Sequence, residues 1–298
     1  MSWDKITEQQ NSASANIDEN STLEILSVIN NEDAKVALAI QNKMPEIEAF
    51  IDALVSRIQK GGRLFYVGSG TSGRLGVLDA AECPPTFSTD PELIQGIIAG
   101  GYDALVKSIE GAEDSPTHGA EAILEYGITV DDAVLGITAS STTPFVLGAL
   151  EKAKKIGAMT GLLLCNNPPK LKYVDHIISI IVGPEVITGS TRMKAGTATK
   201  MVLNMVTTTL MIKLNKTYGN LMVDLKASNE KLWDRGTRII QHLTDLGYDD
   251  SLKLLQSADG EVKTAIVMEK MKVGAGDARE MLSDKKGSLQ KVLMRKCS

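Results

Sequence analysis

The sequence predicts an α/β fold in which a five-stranded parallel sheet is flanked by helices. Two observations carry this prediction. Short, continuously apolar runs recur through the middle of the chain, and segments with helical periodicity separate them. Uninterrupted apolar strands are typical of parallel sheets, because the helices of the crossover connections bury both faces. A helical segment before the sheet and a small helical region after it complete the predicted architecture.

The predicted strands of this sheet are residues 64–67, 93–99, 133–139, 160–165 and 177–182. The predicted helices between them cover residues 74–81, 102–110, 116–126 and 144–156. A longer segment with apolar residues at helical spacing, 194–214, predicts a closing helix packed on the sheet.

The chain divides into three predicted parts. Residues 1–55 form an N-terminal helical segment whose polar first 22 residues wrap the surface or a partner subunit. Residues 56–220 contain the sheet. In residues 221–298 short helical pieces alternate with glycines, which predicts a small three-helix tail.

Composition and charge narrow the functional class. The 298 residues are 43% hydrophobic and 23% charged with a net charge of −5, and lysines and arginines form no broad cluster, so nucleic-acid binding is not expected. We found no signal peptide and no apolar run long enough for a bilayer. Three scattered cysteines favour a reducing, cytoplasmic location over a disulfide framework.

The most informative segment is the glycine-rich turn that follows the first strand. Gly68, Gly70 and Gly73 permit tight backbone angles where the strand passes into a helix, so several N–H groups converge on one anion at the helix N-terminus. Serine and threonine hydroxyl groups interleave with these glycines. The turn therefore predicts a site for a phosphate monoester.

Two further hydroxyl-rich turns, at 139–143 and 188–192, also follow predicted strands. Carboxyl ends of parallel strands share one edge of the sheet, where ligands bind, although such turns also serve only as helix caps. The candidate substrate-binding residues are Ser69, Gly70, Thr71, Ser72, Ser140, Ser141, Thr143, Ser190, Thr191, Arg192 and Lys194.

Two carboxylates are candidates for acid and base. Glu82 is placed at the end of the first crossover helix, where the helix dipole favours the protonated form, and Glu113 precedes a predicted helix, where the dipole favours the ionised form. Ordinary surface capping is the alternative. Glu82 lies roughly 15 Å along the helix axis from the glycine turn, which is too far for one sugar phosphate unless the helix is short or bent or a second subunit contributes the residue. This distance points to a site shared at a subunit interface.

Other site chemistries fit less well. The glycine turn matches a dinucleotide fingerprint, but the second strand ends Ala99-Gly100-Gly101 without the acid that would hold a ribose. His118 and the other histidines are isolated, so no metal site is predicted.

These motifs closely resemble the N-acetylmuramic acid 6-phosphate etherases over nearly the whole chain. The matching runs are residues 21–24, 68–76, 79–86, 110–115, 188–197, 219–224 and 229–232. One turn departs from the family pattern: this chain has Ser141-Thr142 where the family usually has Gly-Arg, and we expect an effect on substrate affinity or acyl-sugar preference more than on reaction type.

The resemblance implies a sugar isomerase (SIS) domain and a homodimer with no metal or redox cofactor. It implies cleavage of the D-lactyl ether of N-acetylmuramic acid 6-phosphate, which yields N-acetylglucosamine 6-phosphate and D-lactate during cell-wall recycling. Glu82 matches the family's acid and Glu113 its base at sugar C2. A non-catalytic sugar-phosphate sensor of the same fold, similar to the glucokinase regulatory protein, is the main alternative, and an aldose–ketose isomerase is another.

Overall fold

The computed structural model of the protein describes residues 5–294. Five parallel strands form one sheet in the order β2-β1-β3-β4-β5. The strands are β1 (Leu64–Gly68), β2 (Ile94–Ile98), β3 (Ala133–Thr138), β4 (Met159–Leu164) and β5 (His176–Ser179). The sheet is therefore the predicted one, and each strand boundary lies within a few residues of the apolar run that predicted it.

Within the described residues, eight helices precede or surround the sheet: α1 (Thr22–Asp33), α2 (Val36–Gln41), α3 (Met44–Ile58), α4 (Gly70–Phe87), α5 (Asp103–Val106), α6 (Pro116–Glu125), α7 (Pro144–Ile156) and α8 (Lys194–Lys213). Three 3-10 turns lie before them, at Ile6–Glu8, Ser12–Ser14 and Ile17–Glu19. The helix predicted over 102–110 is shorter than expected, because Lys107 adopts an extended backbone and ends α5.

The chain forms two compact units, one of residues 1–81 and 91–207 and one of residues 82–90 and 208–298. In the first unit the sheet and helices enclose a core that includes Phe65, Val134, Phe145 and Leu162, all almost fully buried. This unit contains every strand of the sheet.

The second unit contains helices α9 (Glu230–Leu243), α10 (Tyr248–Ser257), α11 (Val262–Met271), α12 (Ala275–Asp284) and α13 (Leu289–Leu293). Val262, Ile266 and Leu255 are fully buried in its separate core. The Asn229 side chain caps α9 by accepting a hydrogen bond from the Leu232 N–H at 3.0 Å, which gives the segment 229–232 a structural role. Among the described helices, none has the length and apolar character needed to cross a membrane.

Helix α4 differs from the prediction at both ends. It begins at Gly70, inside the glycine turn, and continues through Pro84 and Pro85 to Phe87. Prolines usually end a helix because they lack an N–H, but here the Ser88 N–H donates to the Pro84 carbonyl at 2.9 Å and closes the last turn. The expectation that the helix ends at Glu82 is therefore wrong, and so is the argument from a helix end: the dipole acts within the last turn only.

Candidate active site

A cavity of about 450 Å³ opens at the carboxyl ends of β1 and β3, in the first unit. It is polar, and its described lining comes from five stretches of chain that are far apart in sequence. Its described lining comprises Lys5, Glu8, Ser69, Gly70, Thr71, Ser72, Glu113, Thr138, Ala139, Ser140, Thr143, Gly189 and Thr191. Most of the candidate substrate-binding residues therefore meet at the predicted edge of the sheet.

The turn between β1 and α4 is tight because two glycines touch. A Cβ atom added to Gly68 would lie 2.7 Å from the backbone nitrogen of Gly73, and the Gly73 N–H donates to the Ser69 carbonyl at 3.1 Å. Gly70 has a φ of +51°, a backbone angle that residues other than glycine rarely adopt. The turn therefore presents the N-terminus of α4 to the cavity, where the first N–H groups lack partners within the helix and favour an anion.

Glu113 is held at the cavity by its neighbours on two sides. Its carboxylate accepts a hydrogen bond from the Ser69 hydroxyl at 2.8 Å, and its carbonyl accepts one from the Phe145 N–H of α7 at 3.0 Å. Helices α6 and α7 approach closely here: a Cβ on Gly119 would lie 1.9 Å from the Phe145 carbonyl oxygen. This close packing fixes the distance between the Glu113 loop and α7.

The turn after β3 supplies hydroxyl groups from threonine and serine. Thr138 and Thr143 share a hydrogen bond of 2.7 Å between their hydroxyl oxygens, and both line the cavity with Ser140. Ser141 is buried with a φ of +69° and is not among the described lining residues. The Ser141 side chain is therefore not among those of the predicted substrate-binding residues that meet at the cavity.

The third turn contributes less than expected. Thr191 lines the cavity, as does Gly189, but Ser190 and Arg192 are not among the described lining residues. Lys194 is 1% exposed, because its ammonium group forms an ion pair with the buried carboxylate of Glu32. The structure therefore places Lys194 in a structural ion pair and not in the cavity.

Glu32 is the centre of this ion-pair network. Burial by itself raises the pKa of its carboxyl group, but hydrogen bonds from Lys194, Lys35 and Asn11 outweigh burial and lower the pKa to about 2. A second buried carboxylate, Glu185, accepts hydrogen bonds from the backbone N–H groups of Lys194 and Ala195 at 3.0 and 2.9 Å. The start of α8 is thus capped by Glu185, while the Lys194 side chain binds Glu32.

Sequence reasoning missed two charged residues of the cavity, Lys5 and Glu8. The Lys5 ammonium group donates to the Thr142 hydroxyl at 2.7 Å, and the carbonyl of Thr7 accepts a hydrogen bond from the Gly189 N–H at 3.2 Å. These contacts join the N-terminal segment to two of the hydroxyl-rich turns. In the sequence the first residues are polar, but this polar character does not indicate which individual side chains line the cavity.

Glu82 is exposed and belongs to the second compact unit. It is not among the described residues that line the cavity. A further cavity of about 380 Å³ in the first unit shares Ser69, Gly70 and Glu113 with the main one and adds Arg74 and Lys107. Glu113 therefore lines both cavities.

Comparison with known proteins identifies the family. A family model described as the glucokinase regulatory protein N-terminal SIS domain matches residues 46–154. Proteins named N-acetylmuramic acid 6-phosphate etherase match almost the whole chain: that of Clostridium acetobutylicum is 50% identical over 97% of this chain and 96% of its own. Those of Rhodopirellula baltica and Bacillus subtilis are each 49% identical over 96% of this chain and 95% of their own.

The chain belongs to the N-acetylmuramic acid 6-phosphate etherase family. The SIS model from the regulatory protein covers only about a third of the chain and indicates a shared fold. The etherases match the chain from end to end, including the helical second unit. The family comparison therefore favours the enzyme over the regulatory alternative.

Proposed function

We propose that the protein is a carbon–oxygen lyase that cleaves the D-lactyl ether of N-acetylmuramic acid 6-phosphate. The products are N-acetylglucosamine 6-phosphate and D-lactate. The observation that carries the proposal is identity near 50% along the full length of proteins named for this activity. The cavity supports it, since a carboxylate lies beside hydroxyl-rich turns and a helix N-terminus that suit a sugar phosphate.

The hydroxyl-rich turns bind the phosphate in this mechanism. The N-terminus of α4, with Thr71 and Ser72, and the turn with Ser140 and Thr143 surround one space, and each phosphate oxygen can accept hydrogen bonds from it. Binding at this end of the substrate orients the sugar ring relative to Glu113. Fixing the reacting atoms in this way lowers the entropic part of the barrier.

Glu113 acts as the base that removes the proton from sugar C2. Its carboxylate accepts one hydrogen bond from Ser69, and its backbone is fixed by α7, so the group is both positioned and able to accept a proton. Loss of this proton and of the ether oxygen at C3 forms an unsaturated aldehyde and D-lactate. Water then adds at C3 to give the product sugar.

Glu82 is the proposed acid that protonates the departing ether oxygen. It is exposed on α4, as expected of a residue that can be presented to a second copy of the chain. We therefore propose a cytoplasmic homodimer with the active site near the subunit interface. In such a dimer, Glu82 acts as the acid and Glu113 as the base on one substrate molecule.

Release of D-lactate from N-acetylmuramic acid 6-phosphate tests the proposal. Glu113→Gln is expected to abolish release while still binding N-acetylglucosamine 6-phosphate, because the amide cannot take up the C2 proton. Glu121→Gln, which neutralises an exposed carboxylate on α6, is the matched control and is expected to retain turnover. Glu82→Gln is expected to slow lactate release more than exchange of the C2 proton with solvent.

Three outcomes would contradict parts of this scheme. A wild-type protein that binds the sugar phosphate and releases no lactate is a sensor and not an etherase. Unchanged turnover in Glu113→Gln would reject Glu113 as the base. Equal losses of lactate release and proton exchange in Glu82→Gln would reject an acid that acts only on the leaving group.

A further inference from the structure

The carboxylates around the cavity would repel a phosphate unless a cationic group lies nearby. The described lining contains two carboxylates, Glu8 and Glu113, and one cationic side chain, Lys5. A phosphate monoester carries close to two negative charges at neutral pH. The helix dipole and the hydroxyl groups offset part of this repulsion. Among the described lining residues of this cavity, Lys5 supplies the cationic side chain that can offset more of it, since Arg74 and Lys107 line the neighbouring cavity.

Lys5 lies where that charge is needed. Its ammonium group donates to the Thr142 hydroxyl at 2.7 Å, and the Thr142 and Ser140 hydroxyl oxygens are 3.4 Å apart. Ser140 itself lines the cavity. An ammonium group has three N–H donors, so the bond to Thr142 leaves donors that can face an anion between the turns.

The backbone around Lys5 is fixed by the residues that follow it. The Ile6 N–H donates to the Asn166 side-chain oxygen at 3.4 Å, and the Asn166 amide donates to the Thr7 hydroxyl at 3.3 Å. Thr7 is 1% exposed, and its carbonyl accepts the Gly189 N–H. Lys5 is therefore delivered to the cavity by an anchored segment, which reduces the entropy lost when it binds a ligand.

We propose that Lys5 is a substrate-binding residue whose ammonium group contacts the phosphate of the substrate. The inference rests on the proposed function and adds a residue from the N-terminal segment to its site. Lys5 contacts the turn after β3 through the Thr142 hydroxyl, so its ammonium group lies beside the hydroxyl groups proposed to bind the phosphate. A lysine ammonium group is a compact point charge and binds a phosphate oxygen without the planar geometry that arginine requires.

Kinetics of Lys5→Met and Lys5→Arg test this inference. Lys5→Met is expected to raise KM for N-acetylmuramic acid 6-phosphate about tenfold or more, since a hydrogen bond to a charged group is lost. It is expected to keep kcat within about threefold, because the phosphate is bound equally in the ground and transition states. Titration calorimetry with N-acetylglucosamine 6-phosphate should show the same loss of affinity, and Lys5→Arg should recover most of it.

Salt dependence separates a binding role from a structural one. For the wild-type protein, KM should rise between about 0.01 M and about 0.15 M ionic strength, because salt screens the attraction between ammonium and phosphate. Lys5→Met should flatten this rise. Lys60→Met, which removes an exposed charge at the end of α3, is the matched control and should leave both KM and its salt dependence unchanged.

An unchanged KM in Lys5→Met would overturn the inference. So would a raised KM that keeps the wild-type salt dependence, since Lys5 would then only hold the N-terminal segment. Failure of the proposed function is distinguishable, because it is seen in the wild-type protein as absence of lactate release. Calorimetry with the product sugar phosphate still measures the contribution of Lys5 in that case.

Discussion

Replacing Ser141 by glycine should stabilise the protein, because this serine adopts a backbone conformation suited to glycine. Ser141 is buried in the turn after β3 with a φ of +69°. A left-handed backbone costs an L-residue about 1–2 kcal/mol, since Cβ crowds the following carbonyl oxygen. Glycine at the same position avoids this strain.

The net gain is smaller than the strain that is relieved. Glycine loses more conformational freedom on folding, which costs about 0.5–1 kcal/mol. Subtracting this cost from the strain predicts that Ser141→Gly raises the free energy of unfolding by up to about 1.5 kcal/mol. The middle of this range, about 0.75 kcal/mol, corresponds to a rise in the melting temperature of roughly 1–3 °C. Urea unfolding followed by circular dichroism measures it directly.

Ser140→Gly is the matched control in the same turn. Ser140 does not have a positive φ, so glycine brings no relief of strain there. The entropic cost of about 0.5–1 kcal/mol remains, and loss of the Ser140 hydroxyl contacts with Thr138 and Thr142 adds to it. The two neighbouring substitutions should therefore change stability in opposite directions. A Ser141→Gly protein that unfolds at a lower urea concentration than the wild-type protein would refute the argument from strain.

Three further predictions concern packing and burial. Lys194→Met should lower the free energy of unfolding by up to about 3–5 kcal/mol, because it removes the buried ion-pair partner of Glu32 and leaves the exposed Lys35 as its remaining cationic partner. Since the folded pKa of Glu32 is about 2, below its ordinary value of 4.5, its contribution is present above pH 4.5 and is lost as the pH falls towards 2; urea unfolding at several pH values should show less acid sensitivity in Glu32→Gln. Gly119→Ala should destabilise the protein by about 1–3 kcal/mol and reduce lactate release, because α6 has to move away from α7 and carries the Glu113 loop with it. Gly276→Ala, at a helical position with open space, should instead stabilise by about 0.5–1 kcal/mol, and equal effects of the two substitutions would contradict this account.

The sheet could be predicted from the sequence because its signal is local. The central strands β1, β3 and β4 are nearly continuous apolar runs that are buried at every position, so their sequences lack the apolar–polar alternation of a half-exposed strand. The end of α4 could not be predicted in the same way. Two adjacent prolines normally stop a helix, and whether they do depends on how the chain after them closes, which the Ser88 N–H decides here.

The candidate site could be predicted only in part. The turns after β1 and β3 meet as expected, because the ends of neighbouring parallel strands lie at one edge of a sheet. Lys194 was misplaced because its partner, Glu32, is 162 residues away in sequence. Lys5 was missed for the same reason, since it meets Thr142 across 137 residues. Pairings at this separation leave no periodicity or spacing that sequence analysis can detect.

The N-terminal segment also makes long-range hydrogen bonds near the start of α8. Asn11 donates to the Pro184 carbonyl at 3.0 Å and to the Glu32 carboxylate at 2.8 Å, and Ser14 donates to the Val186 carbonyl at 2.7 Å. The N-terminal segment is thus anchored on both sides of Glu185, which caps the start of α8. Because the same segment brings Lys5 and Glu8 to the cavity, the anchoring contacts determine where these two charges lie. The early part of the chain therefore forms part of the cavity wall, and contacts made outside the cavity fix the backbone that carries Lys5 and Glu8.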